Sequence, residues 1–308
     1  MNRRGAAFWI VFLGAIAALL VAGDNYWLRI GTTVALYAAL ASSWNIIGGF
    51  AGYPSFATAA FFGTGAYVSA IAQLHGLPMP LAWAAAALAG ALFALLLGLG
   101  LLRLRGHYFA VASLVVAEVL RESISAGGDF TGGGMGLNLA LLPLSPQAQA
   151  RLFLLVLSAL AALAALLSWW IVGSRFGVAL RCIEQNEDAA AMIGIPVTLN
   201  KTYALALSAL FASAGGAVYA NWLNYIDPGD VFNVLLSVKP IVVALIGGVG
   251  TVAGPFAGAV ALAGMEELVT KGALDLNGVL LGLAIVLLVL FIPRGVVGLR
   301  PFARKGPP

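Results

Sequence analysis

Residues 80–102 read PLAWAAAALAGALFALLLGLGLL, 23 consecutive positions without a charge. A hydrocarbon core about 30 Å thick is crossed by about 20 apolar residues of helix, each adding about 1.5 Å. This stretch therefore reads as a membrane span, and it is one of ten. The others lie near 6–23, 28–47, 54–74, 107–125, 151–173, 201–222, 233–249, 252–269 and 276–292. Only Gly247, Gly248, Gly250, Gly254 and Pro255 separate 233–249 from 252–269. That pair is either two short helices or one helix and a re-entrant piece, so the expected count is eight to ten. The fold expected is a single all-α polytopic membrane domain over 1–308.

Composition agrees with the runs. Apolar residues make up 62% of the 308, and Asp, Glu, Lys and Arg only 9%, against about 25% in soluble domains. The mean hydropathy is +1.00. Soluble enzymes, disulfide-stapled modules, disordered tails and nucleic-acid binders are disfavoured, and a net charge of +4 is too small to reverse that. Cys182 has no second cysteine to pair with, and His75 and His107 are too isolated to suggest a metal site. Arg3 and Arg4 before an apolar run also describe a signal peptide, but the run is long and no Ala-x-Ala-like site precedes Asp24. An uncleaved first span is expected.

Basic residues mark cytoplasmic loops. Arg3, Arg4, Arg103, Arg105, Arg175, Arg181, Arg294, Arg300, Arg304 and Lys305 fall on one side if every run crosses. Both termini are then cytoplasmic. The opposite side receives Asp24-Asn25, a Gly- and Pro-rich loop at 126–150, and Asn224 to Asp230. No loop is long enough to house a soluble catalytic site.

The one long polar loop on the basic side spans 174–200. Asn186 suits a helix N-cap, and Glu187 and Asp188 fall in the first turn, where the helix dipole favours anions. Ala189, Ala190, Ala191, Met192 and Ile193 continue the helix. Gly194 suits the position past its end, and Pro196 prevents renewal. The product is a helix of about two turns, too short to span or to stand alone. It is either a docking knob of Ala and Met or a solvated linker packed on the spans.

Glu187-Asp188-Ala189-Ala190-Ala191 with Gly194 resembles the cytoplasmic Glu-Ala-Ala…Gly loop of ABC importer permeases. Leu102-Arg103-Leu104-Arg105-Gly106-His107-Tyr108-Phe109-Ala110 with Glu118-Val119-Leu120-Arg121 resembles a junction in the permeases for branched-chain amino acids. So do Thr131-Gly132-Gly133 with Gly136, Gly247-Gly248-Val249-Gly250-Thr251 with Gly254-Pro255, and Ile292-Pro293-Arg294-Gly295. In this order they identify the chain as a member of that family, in its longer M-type subunit.

The resemblance implies a fold like the type II ABC importers in a bacterial inner membrane. It also implies a coupling loop that seats in an ATPase subunit through Arg181, Glu184, Glu187, Asp188, Ala189, Ala190, Ala191 and Gly194. Implied partners are a second related permease, two ATPases, and a periplasmic or lipid-anchored substrate-binding protein. No Gly-x-x-x-x-Gly-Lys-[Ser/Thr] occurs in the chain. No cofactor is expected here, and ATP and Mg belong to the ATPases. His107, where many relatives carry an acid, and Lys239-Pro240 inside a run depart from the pattern. The substrate is therefore open among branched-chain amino acids, other amino acids, urea and short amides.

Charges inside a span are functional candidates by default. Glu118, Arg121 and Glu122 share one face of the fifth run at spacings of three and four. They are read either as a polar lining that meets a zwitterionic substrate or as a self-paired cluster at a subunit interface. Lys239 and Glu266-Glu267 carry the same two readings, with snorkelling towards span ends favouring the second. Gly63 to Gly65, Gly90 to Gly100 and Ala214 to Ala217 are expected to let helices approach closely. Gly247 to Gly254 suits an unwound, ligand-binding segment. Candidates for the translocation path are thus Glu118, Arg121, Gly132, Gly133, Gly247, Gly248 and Gly250. An ion-coupled transporter using Glu118 or Glu266 is the competing reading from another class.

Overall fold

A computed structural model describes residues 3–271. The tenth run, the Ile292–Gly295 motif and the basic residues from Arg294 onward lie outside the described residues. Nine apolar runs coincide with helices, of which the first six are α1 (Arg3–Ala22), α2 (Asn25–Ile47), α3 (Thr58–Leu74), α4 (Met79–Leu101) and α5 (His107–Ser125), then, past the four-residue α6 (Gly128–Thr131), α7 (Pro146–Gly173). Two further helices, α8 (Arg175–Gln185) and α9 (Glu187–Met192), fill the polar loop before α10 (Val197–Leu223). The short α11 (Pro228–Val231) leads into α12 (Val234–Gly247), and α13 (Gly254–Lys271) follows. The glycine-rich stretch thus divides two helices. Among the described residues, five helical segments are long and apolar enough to cross a membrane: α2, α4, α7, α10 and the unit Pro228–Gly247. The architecture is all-α and polytopic, save a two-residue ladder in which Leu137 pairs with Ile226 and Asn138 with Tyr225.

Packing centres on α10, which lies against α3, α4 and α2. Glycines explain how closely it lies. A Cβ on Gly216 would sit 1.9 Å from the Phe62 carbonyl oxygen, and one on Gly65 would sit 2.0 Å from that of Ser213. Such contacts are backbone against backbone, the membrane-helix packing that small residues permit. Along antiparallel α4, Gly90 faces Ser213 and Gly98 faces Thr202. At the far end of this pair, the Asn221 and Gln73 amides exchange hydrogen bonds of 2.8 and 2.9 Å, and the Trp83 indole donates to Asn221 at 2.8 Å. Every polar group of that clasp finds a partner, as a low-dielectric interior demands.

The loops gather at two ends. At one, Trp44 donates to the Ser55 carbonyl, while Asn45 holds the α12–α13 turn through Thr251 and Gly250 at 3.0 and 2.8 Å. Gly52 lies against Glu184 at the same end. At the other end are the 126–145 and 224–233 loops, joined by the ladder and by a hydrogen bond from the Tyr225 hydroxyl to the Met135 carbonyl. The helices therefore alternate in direction wherever these contacts place them. Leucines 81, 88, 92, 96 and 99 of α4 stay exposed, forming an apolar stripe suited to lipid.

Candidate functional site

Two caps build the polar loop. Ser174 accepts from the Gly177 amide at 3.1 Å and starts α8; Asn186 accepts from Ala189 at 3.0 Å and starts α9. Gly194, at φ +85°, takes the left-handed position beyond α9 that residues with a Cβ seldom adopt. The sequence reading found α9 and missed α8. Its signal was there: Gly177, Leu180 and Ile183 are the buried positions, at helical spacing, and Ser174 is a good cap.

Glu187, the first residue of α9, turns inward. Its carboxylate accepts from the Lys201 ammonium of α10 at 2.8 Å and from the Tyr53 hydroxyl, and Arg105 approaches to 3.7 Å. Lys201 also donates to Tyr53 at 2.9 Å, with its ammonium 4.1 Å from the ring centre. The Lys201 side chain is 1% exposed and that of Glu187 19%. Burial pushes the Glu187 carboxyl upward, but the hydrogen bonds from Lys201 and Tyr53 prevail and hold it below the ordinary carboxylate range. Burial, then the bond to Glu187, raises the Tyr53 hydroxyl above the usual tyrosine range. Sequence reasoning missed Tyr53, Lys201 and the role of Arg105, because their meeting depends on the fold.

The other candidates of the loop divide by direction. Ala190 is buried, whereas Ala189, Ala191 and Gly194 are exposed. Met192 and Ile193 project with 87% and 71% of their surface open. Asp188 is exposed and pairs with Arg105 at 2.9 Å. Glu184 lies beside Gly52, and Arg181 donates to the Val172 carbonyl at 3.1 Å. The knob therefore presents a small apolar tip beside a charged flank, held from behind by buried ions.

The translocation-path candidates do not form one cluster. Glu118 and Arg121 pair on α5, where Arg121 also meets Glu122 at 3.0 Å, and this group faces outward. Gly132 and Gly133 sit just beyond α5 in the turn that Thr131 ties to the Ile124 carbonyl. Gly247, Gly248 and Gly250 lie at the opposite end, in the turn bound to Asn45. There a Cβ on Gly247 would meet the Gly254 carbonyl oxygen at 1.8 Å, which gives these glycines a packing reason. His107 opens α5 and is exposed. Lys239, instead of reaching for a span end, pairs across helices with Glu266 of α13 at 2.9 Å and donates to Tyr37 of α2 at 3.1 Å. Among the described residues no group of acids, histidines and cysteine is arranged to hold a metal.

Comparison with known proteins places the chain in a family. The family described as branched-chain amino acid transport system / permease component matches residues 26–290. The high-affinity branched-chain amino acid transport system permease protein LivM of Salmonella typhimurium is 26% identical over 301 residues, covering 87% of this chain and 69% of the relative. Its Escherichia coli counterpart is 26% identical over 324 residues, covering 93% and 74%. No solved structure matches the chain. With a match over most of its length and apolar helices to fit it, this multi-pass membrane protein belongs to the branched-chain amino acid transport permease family.

Proposed function

We propose that the chain is the membrane subunit of an ATP-driven importer for branched-chain amino acids, or for a related amino acid, urea or short amide. It works beside a second permease, two ATPases and a periplasmic or lipid-anchored binding protein. The observation that carries this reading is α9: a six-residue helix held from within by Glu187, with Met192 and Ile193 offered outward. Exposed apolar side chains on a rigid polar scaffold are suited to a cleft in a soluble partner. The α9 end then faces the cytoplasm of a bacterial cell, with both termini on that side, and ATP and Mg bind the partners and not this chain. Coupling rests on Arg181, Glu184, Glu187, Asp188, Ala189, Ala190, Ala191 and Gly194. Glu118, Arg121 and the loop at Gly132-Gly133 border the path, because a charged face on α5 is better placed against a subunit or a solute than against lipid. The turn at Gly247 to Gly250 contributes from the other end. An ion-coupled mechanism is less well supported, since Glu118 and Glu266 are both engaged by cations.

The test replaces the apolar tip. Met192→Asp with Ile193→Asp removes contacts of the kind that dominate interfaces, about 2 kcal/mol or more, which weakens ATPase capture roughly 30-fold. Co-purification with the ATPase subunits and ATP-dependent uptake in proteoliposomes should both fall, while membrane insertion persists. Uptake at the wild-type rate in that variant sinks the docking role.

A further inference from the structure

The Glu-Ala-Ala-like segment divides its labour between two faces, and the inward face has a task of its own. Three segments distant in sequence converge on the Glu187 carboxylate: the α2–α3 loop through Tyr53, the α4–α5 loop through Arg105, and the first turns of α10 through Lys201. Tyr53 and Lys201 are closed to a docking partner, whereas Arg105, like Met192, is exposed. Lys201 is almost wholly buried, and among the described residues its ammonium is met by Glu187 and Tyr53. If α9 moved off alone, a lysine charge would be stranded away from water without its counter-ion, which is strongly unfavourable. The pair is therefore stiff under tension.

The only covalent route from α9 to α10 is the segment Ile193-Gly194-Ile195-Pro196, which bends at the left-handed Gly194. The Gly194 and Ile195 amides fold back onto α9 at 3.0 and 3.1 Å, so this segment closes α9 and does not continue it into α10. Beyond Lys201, by contrast, α10 meets α3 and α4 at glycine contacts too close to slide freely: Gly65, Gly216, Gly90 and Gly98. Displacement of α10 must carry those helices with it.

We propose that the Glu187–Lys201 ion pair, seated on Tyr53, is the rigid link that passes movement of α9 into α10 and the core of the bundle. Lys201 and Tyr53 are positioning residues for coupling, not ATPase contacts. This rests on the importer reading above and adds to it a route for the force. Asp188 with Arg105, exposed and screened, steadies the outer flank and is not part of that route.

The experiment measures solute moved per ATP hydrolysed in proteoliposomes holding the full complex, with co-purification of the ATPases as a second readout. Lys201→Met should keep the ATPases bound and hydrolysing while solute moved per ATP falls about tenfold, a typical coupling factor. Lys201→Arg should recover most of the loss. Tyr53→Phe, which removes one hydroxyl and keeps the ring, should lower the ratio by a smaller factor. A wild-type ratio in Lys201→Met overturns the link. If that variant does not accumulate in the membrane, Tyr53→Phe decides, and an unchanged ratio there overturns the link equally. Loss of ATPase binding with the ratio unchanged places Glu187 and Lys201 in docking and also overturns it. Failure of the wild-type complex to couple uptake to ATP would instead remove the importer reading itself.

Discussion

Two lysine–glutamate pairs in this protein are built alike and placed differently. In both, a lysine pairs with a glutamate of another helix, at 2.8 Å for Lys201–Glu187 and 2.9 Å for Lys239–Glu266, and in both it donates to a tyrosine hydroxyl. The ammonium lies 4.1 Å from the centre of the Tyr53 ring and 5.3 Å from that of Tyr37, within reach of the attraction between a cation and an aromatic face. The Lys201 side chain is 1% exposed; those of Lys239 and Glu266 are 28% and 25% exposed. One pair ties a surface helix to the bundle, and the other ties α12, α13 and α2 to each other. The same chemistry thus fixes a short surface helix in one place and a packing contact between long helices in the other. Burial separates the two.

The largest effect is expected from removing one member of the buried pair. Lys201→Met leaves a half-buried carboxylate short of its main partner, and losses of this type run to about 3–5 kcal/mol. The same change at Lys239 should cost less, about 1–2 kcal/mol, because its pair is less enclosed. Thermal unfolding of the two variants in detergent would measure the difference, and equal shifts would undo the contrast drawn from burial.

Arg105→Ala should have a smaller consequence. It breaks an exposed pair with Asp188, worth about 0–1 kcal/mol, and removes a more distant charge from Glu187. Its effect should shrink as salt is raised, since ions screen exposed charges, whereas the effect of Lys201→Met should not. Titrating both with salt would show whether the inner and outer faces of α9 obey different electrostatics.

The smallest change concerns pH. A carboxyl held below its ordinary value contributes stability that is complete above that value and lost as pH falls through the lowered one. The Glu187 carboxyl starts from 4.5 and is lowered, so α9 should stay docked through mild acid and loosen only below it. Tyr53, raised from 10.0, contributes at all pH below its ordinary range and loses its proton later than a free tyrosine would. Hydrogen exchange at Ala189 to Met192 would follow this window. Loosening already near the ordinary carboxylate value would contradict the inward position of Glu187.

The part of this arrangement that lies along the chain was legible in the sequence. Asn186, Gly194 and Pro196 bracket α9 because caps and breakers act on neighbouring backbone, and Glu118 with Arg121 needs only one turn of helix to meet. The apolar runs marked the helices for the same local reason. Tyr53 and Glu187 are 134 positions apart, and Arg105 and Asp188 are 83 apart. No periodicity announces such meetings, which are fixed by how α10 seats between α3 and α4. For Lys239 the sequence leaves a polar lining and a paired cluster both open, because its partners, on α2 and α13, come from either side of it in sequence. The inward turn of Glu187 stayed hidden for the same reason.

The clasp at Asn221 has a consequence for the membrane around the protein. Asn221 lies 20 residues after Lys201 on the same helix, so at 1.5 Å per residue the two polar fixtures stand about 30 Å apart, close to the thickness of a hydrocarbon core. Helix α10 is pinned to its neighbours near both of its ends, by ions at one and amides at the other. It cannot tilt or slip to suit a thicker lipid without opening one fixture. Lipid chain length thereby becomes a variable that acts on the helix to which α9 is tied through Lys201.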